Sequence, residues 1–375
     1  MAQSGVPTAL VCLALVVVQI GFGGYGVVVK KFAANKKANP LIFCLIRDAV
    51  CWPVLLLCAV AAERRLNVPR LRELPLFFIL GLFGMFGNQF FYIMGVYYAG
   101  ADISSVFQPA IPVWTALFAI VTGIEKPPTL RKLHGWAKVV GILVAVGGAV
   151  TMLTERLTRG SSVTYSDKII FGIVFLFANT ICMAIFILIQ KRYIFERSER
   201  WAKYPVSVTA WCYCFGALCM GLASFYYVIK CPHSGACQDD PWFIPQEEAI
   251  PLVYAIFVAS ALCYMLITWG NMLVPASLVT AFWPLQVPVA VVLSYFILGE
   301  RMETLDYVGA VLIIIGLLLV VYSNWYAEKL RKETDMAVVF GRSVEERQAL
   351  INSHDDIFDA PLKAKSFTRE KNIQQ

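Results

Sequence analysis

The chain has 375 residues, 59% of them hydrophobic and 15% charged, with a net charge of +7. A soluble domain is about half apolar and about a quarter charged, so this balance excludes one, and the excess of Lys and Arg is a topology signal with no nucleic-acid partner implied. Three histidines, His134, His233 and His354, all lie in hydrophilic breaks, which excludes a histidine metal site within a membrane; no cofactor is expected.

Ten apolar runs follow one another at roughly 8–29, 40–62, 74–98, 102–123, 136–154, 168–190, 206–229, 250–270, 275–298 and 304–326. Most are about 20 residues long, the length that crosses about 30 Å of hydrocarbon. Of 32 Lys and Arg all but Arg47 lie in hydrophilic breaks or at segment ends, and so do all of the 25 Asp and Glu but Asp48. Soluble helices scatter their charges because each turns one face to water. The expected fold is therefore all-α and integral to the membrane, with ten transmembrane helices.

The first run ends at Lys30-Lys31 without a small-residue cleavage site and is read as a retained span. The loops that carry more Lys and Arg are those that put both termini in the cytoplasm. The break after the seventh run holds Cys231 and Cys237, which face outside or an organelle lumen on this topology. They are disulfide candidates in an oxidising compartment; two free thiols are the alternative. From Glu328 onward the chain is polar, with nine basic and nine acidic residues, and is expected to be a disordered cytoplasmic tail. Within it Glu346, Leu350 and Ile351 match the pattern of an acidic dileucine signal for sorting adaptors.

Two stretches are copies of one another. Gly95 to Lys126 aligns without a gap on Gly270 to Arg301 at an offset of 175, so that Phe107, Pro109 and Glu125 fall on Phe282, Pro284 and Glu300. Further on, Gly141 and Gly148 fall on Gly309 and Gly316. Five spans in each half is an odd number, so the second copy enters the membrane the opposite way up. This is an inverted 5+5 repeat, a design of many secondary transporters. The expected division is 1–160 for the first five-helix repeat, 161–328 for the second and 329–375 for the tail.

Candidate site residues are the polar and aromatic groups at depth. A charge near mid-membrane costs at least about 2.5 kcal/mol and normally faces a cavity or a partner. Arg47 is a candidate substrate anchor and Asp48 a candidate proton-coupling carboxylate; mutual or local pairing is the structural alternative. Gln19, Asn88, Gln89, Gln108 and Gln286 are amides in apolar runs, held either by another helix or by a solute. Pro109, Pro112, Pro284 and Pro288 break the paired helices and remove backbone donors beside Gln108 and Gln286. Tyr92, Trp269 and Trp283 are candidate pocket walls for an aromatic or amphipathic solute, with packing as the alternative. Glu125 and Glu300 read as interfacial markers. No nucleophile elbow, Walker loop or deep lysine is present, so an enzyme is not expected.

The stretch Gly87-Asn88-Gln89-Phe90-Phe91-Tyr92-Ile93-Met94-Gly95, with Gln108 and Pro112, resembles the plant Walls-Are-Thin-related branch of the drug/metabolite transporter superfamily. Leu298-Gly299-Glu300-Arg301, then Gly309-Ala310-Val311-Leu312-Ile313 and Gly316, matches the same EamA-type repeat. The resemblance spans roughly residues 8–327. It implies a secondary transporter of amino acids or auxin-like solutes, at the plasma membrane or the vacuole, with protons as a possible co-substrate. Carriers of phosphorylated or nucleotide sugars share the fold but need several cations against phosphate, where only Arg47 is at depth. A non-transporting scaffold or sensor of this fold is the other alternative.

Overall fold

Prolines, glycines and capping side chains set where the apolar runs begin, bend and stop. The computed structural model describes residues 7–32, 39–99, 104, 107–125, 133–159, 167–230, 242–299 and 304–339. In chain order the helices are α1 (Thr8–Phe32), α2 (Pro40–Glu63), α3 (Leu74–Ala99), α4 (Gln108–Val121), α5 (Leu133–Arg159), α6 (Ile169–Glu196), α7 (Pro205–Lys230), α8 (Gln246–Leu273), α9 (Ala276–Leu298) and α10 (Thr304–Val339). No strand occurs among the described residues. Eight of these helices are long and apolar enough to cross a membrane, whereas Gln108–Val121 and Gly135–Thr151 are shorter apolar helices. The protein is an α-helical, multi-pass membrane protein.

The outward surface agrees. Leu57, Val121 and Phe296 are 72%, 74% and 76% exposed. In water so much exposed apolar surface marks an interaction face or an aggregation hazard; against lipid it is the expected lining.

Local sequence explains the helix ends and bends. Asn39 caps α2 by accepting from the Leu41 N–H at 2.9 Å, and Pro40 follows at the first helical position, where its missing N–H is harmless. In α3 the run Gly81–Gly87 is π-helical, a wider turn that shifts the register of everything after it. A Cβ at Gly84 would meet the Phe186 ring of α6, and one at Gly81 would meet Phe215 and the Cys212 carbonyl of α7. The glycines let α3 lie close to both neighbours. Similar π turns continue α6 over Gln190–Glu196 and interrupt α8 over Ala255–Leu262.

Met1–Pro127 and Ile142–Leu317 make up the larger of two compact units. Within it α1 packs on α8 and α9, α2 on α7, α3 on α6 and α7, and α4 on α6 and the first turns of α9. The paired proline breaks meet. Gln108–Ala110 in α4 and Trp283–Leu285 in α9 are both tight 3-10 turns, and they pack against each other. The smaller unit comprises Pro128–Gly141 and Leu318–Gln375. Among its described residues, the Tyr322 ring lies 6.3 Å from Trp325 and 6.2 Å from Tyr326, and Lys329 sits over Trp325. Aromatic and basic residues gathered at the end of a span are the usual composition of a membrane interface.

Candidate functional site

Arg47 and Asp48 sit on the buried side of α2, 5% and 0% exposed. Neighbouring residues on a helix point about 100° apart, and the long Arg47 side chain closes that angle. Its Nε donates to Asp48 Oδ1 at 2.8 Å and its Nη2 reaches the same oxygen at 2.7 Å. The second oxygen, Asp48 Oδ2, has no protein partner. A buried carboxylate is acceptor-only when ionised. The pair therefore presents one unused acceptor in an enclosed setting, where an unmade hydrogen bond is costly.

Three tyrosines and a cysteine lie near the pair. Tyr25 of α1, Cys44 of α2, Tyr213 of α7 and Tyr264 of α8 all lie within electrostatic range of Arg47 and Asp48. Tyr92 of α3 lies within the same range of Tyr25. The Gln89 amide is within hydrogen-bonding reach of the Tyr264 hydroxyl. Tyr264 also packs edge-on against Tyr213, with ring centroids 5.6 Å apart, and against Phe22 at 6.0 Å. Phe22 in turn lies 6.4 Å from Trp283. A continuous aromatic line thus runs from the charged pair to the proline break of α9.

Gln19 is on α1, one turn before Phe22 and one turn after Leu15. Residues three and four apart share a helix face. Leu15 lines the space beside Gly270 of α8, so Gln19 faces the wall made by α8 and α9. It is 0% exposed, and neither its Nε2 nor its Oε1 has a protein partner. A polar side chain with both ends unmatched in this setting is suited to a solute or water that offers one donor and one acceptor.

The other predicted amides go elsewhere. Asn179 of α6 donates to the Asn88 carbonyl at 2.6 Å, Asn88 returns a bond to the Asn179 carbonyl at 3.3 Å, and Gln108 donates to Asn179 Oδ1 at 3.0 Å. This knot ties α3, α4 and α6 together, as amides in hydrocarbon commonly do. A second knot joins Asn271 to the Ile187 carbonyl and to Gln190, which donates to Thr268. Trp269 and Gln286 are half-buried on α8 and α9, and the Gln286 carbonyl backs onto Gly23 of α1. Pro109, Pro112, Pro284 and Pro288 are all buried. Cys231, Cys237, Glu346, Leu350 and Ile351 lie outside the described residues.

Arg47 and Asp48 lie near Tyr264, which Gln89 reaches and which leads through Phe22 to Trp283; Tyr92 lies near Tyr25, Gln19 is buried on α1, and Asn88 and Gln108 bond with Asn179. Phe22, Tyr25, Tyr213 and Tyr264 escaped the sequence reading. The chain has 50 aromatic residues, and none of these four stands out by spacing or neighbours. Their common feature is a shared position in space.

The EamA-like transporter family model matches residues 9–154 and again 170–322. The WAT1-related protein At3g18200 of Arabidopsis thaliana is 29% identical over 336 residues, covering 86% of this chain and 84% of that protein. The protein WALLS ARE THIN 1 of Arabidopsis thaliana is 26% identical over 347 residues, covering 85% of each. A solved crystal structure superposes with a TM-score of 0.65 at 14% identity, covering 85% of this chain and 99% of the other, which is a likeness of fold. A membrane-embedded helical protein with a buried polar centre, matched twice along its length by one family model, is a member of the EamA-like transporter family.

Proposed function

We propose that the chain is a secondary transporter of small organic solutes, built from ten spans as an inverted 5+5 repeat with halves 1–160 and 161–328 and a tail at 329–375. It works by alternating access around the line of residues from Arg47 to Trp283. The observation that carries this reading is the buried Arg47–Asp48 pair with its unmatched Asp48 Oδ2, beside aromatic rings that run on through Tyr264 and Phe22 to Trp283. The two family matches fall on the two proposed halves. The contact between the 3-10 turns of α4 and α9 is what a pseudo-two-fold arrangement of the copies requires.

The favoured substrates are amino acids or auxin-like amphipathic solutes, the class that the resemblance implies. An aromatic line that starts at a carboxylate suits a solute with a flat apolar body and a polar end. Arg47 is already paired to Asp48, which weighs against a phosphorylated sugar. Asp48 is the proposed proton-coupling group. The site of action is the plasma membrane or the vacuole, with termini in the cytoplasm and the Glu346–Leu350–Ile351 signal read by sorting adaptors.

Purified protein in proteoliposomes, screened for flux of amino acids and indole acids under an imposed proton gradient, tests the proposal. Flux of at least one such solute, absent from empty liposomes, is the expected result. No flux of any of them under either gradient direction would sink the transporter reading and favour a scaffold or sensor.

A further inference from the structure

The turn between α8 and α9 is held by a lysine and a glutamate from elsewhere in the chain. α8 stops at Leu273, Val274 is extended and Pro275 precedes α9. The negative end of one helix dipole and the positive end of another therefore lie within a few residues of each other. Lys191, on the π turn of α6, donates its ammonium hydrogens to three carbonyls at the end of α8: Asn271 at 2.9 Å, Met272 at 3.4 Å and Val274 at 2.9 Å. An ammonium has three donors and no acceptor, so this cage matches it in number and sign. Glu125, just past α4, takes the opposite end. Its Oε1 accepts from the Ser277 N–H at 2.9 Å and its Oε2 from the Ser277 hydroxyl at 2.6 Å. A carboxylate is the stabilising charge at a helix N-terminus. Lys191 lies within electrostatic range of Glu125 and of Glu196 on its own turn.

The sequence pattern assigned neither role. Lys191 lies just past the apolar run at 168–190, yet α6 continues through it as a π turn. Glu125 reads as an interfacial marker, yet both its oxygens bind a helix from the other half of the chain.

We infer that Lys191 and Glu125 form a charge latch. They hold the α8–α9 turn against α6 and α4 and close the pathway at that end, and their release opens the site to that side. The first turns of α9 already lie along α4, and the two proline breaks meet beyond them, so the latch fastens one mouth of the proposed path. The distribution of Lys and Arg puts this mouth on the cytoplasmic side. Both residues act through the turn and are positioning residues. The inference rests on the transporter reading, but the latch itself is measurable without a substrate.

Hydrogen–deuterium exchange with mass spectrometry on the full chain in lipid nanodiscs, with no solute added, tests it. Lys191→Met and Glu125→Gln should each speed exchange over residues 270–280 by about tenfold, the effect of losing a charge-assisted hydrogen bond. The double variant should exchange no faster than the looser single one, because the two ties act as a unit. Glu63 makes a comparable cap on α7, accepting from the Val206 N–H at 2.7 Å, and Glu63→Gln should leave 270–280 unchanged. Unchanged exchange in both single variants, or loosening spread equally through α1 to α3, would overturn the latch. In liposomes that show flux, Lys191→Met should alter the maximal rate and leave the half-saturating concentration within about twofold. A change confined to half-saturation would make Lys191 a substrate ligand and overturn the positioning role. If wild-type liposomes carry no flux, the transport proposal fails while exchange still decides whether the latch exists.

Discussion

Asn179 and Asn88 bind each other's backbone carbonyls across α6 and α3, at 2.6 and 3.3 Å. The tie falls directly after the π-helical run Gly81–Gly87, where the register of α3 has been shifted. It fixes which face of the following residues, Gln89 and Tyr92 among them, turns toward the centre. Gln108 adds the start of α4 to the same knot through Asn179 Oδ1.

Asn179→Ala should therefore lower the thermal stability of the purified protein by about 1–3 kcal/mol, the cost of leaving buried partners unmatched. Gln108→Leu alone should cost less, since it removes a single bond to Asn179. A double-mutant cycle should give a coupling of about 0.6–2 kcal/mol, the range for interhelical bonds in membranes. Additive effects would mean that the two amides are not joined.

Gly84 faces the Phe186 ring with no room for a Cβ. Gly84→Val should cost about 1–3 kcal/mol by forcing α3 and α6 apart, with Phe186→Ala recovering part of it. Reversible unfolding in mixed micelles measures both. A neutral Gly84→Val would show that the two helices do not approach as described.

Arg47 and Asp48 should behave as a unit. Arg47→Leu leaves a buried carboxylate without its counter-charge and should cost about 3–5 kcal/mol, whereas the double change to Leu at both positions should cost less. Asp48→Asn keeps the shape and removes the charge. If Asp48 carries the coupling proton, uptake by this variant should lose its dependence on pH; an unchanged pH profile would remove Asp48 from coupling.

The apolar runs are legible because the bilayer imposes their length, and the two copied stretches of sequence are legible because proline and glycine leave fixed marks. Pro109 and Pro284 aligned in sequence, and the turns they occupy meet in space. Arg47 and Asp48 were legible because charge at depth is rare. What composition hides is which side chains converge. Tyr213 and Tyr264 look like any interfacial tyrosine until α7 and α8 bring them together. Asn88 and Gln108 read as amides for a solute or another helix, and only the structure brings both to Asn179. Lys191 was hidden by a π turn, which carries a charged residue beyond an apolar run without ending the helix.

Gln19 gives the sharpest separation of function from stability. Both ends of its amide are buried and have no protein partner, so the ligand-free protein bears an unmet hydrogen-bonding cost there, of about 1–3 kcal/mol per group before any bound water. Gln19→Leu removes that cost at nearly constant volume and should raise the melting temperature of the ligand-free protein, or leave it unchanged. The same variant should lose the stabilisation that a transported solute gives, because a ligand stabilises only the state it binds. A structural amide would show the reverse: lower stability without solute and an intact shift with it. Measuring melting temperature with and without a transported amino acid or indole acid, on wild type and Gln19→Leu in parallel, decides between the two.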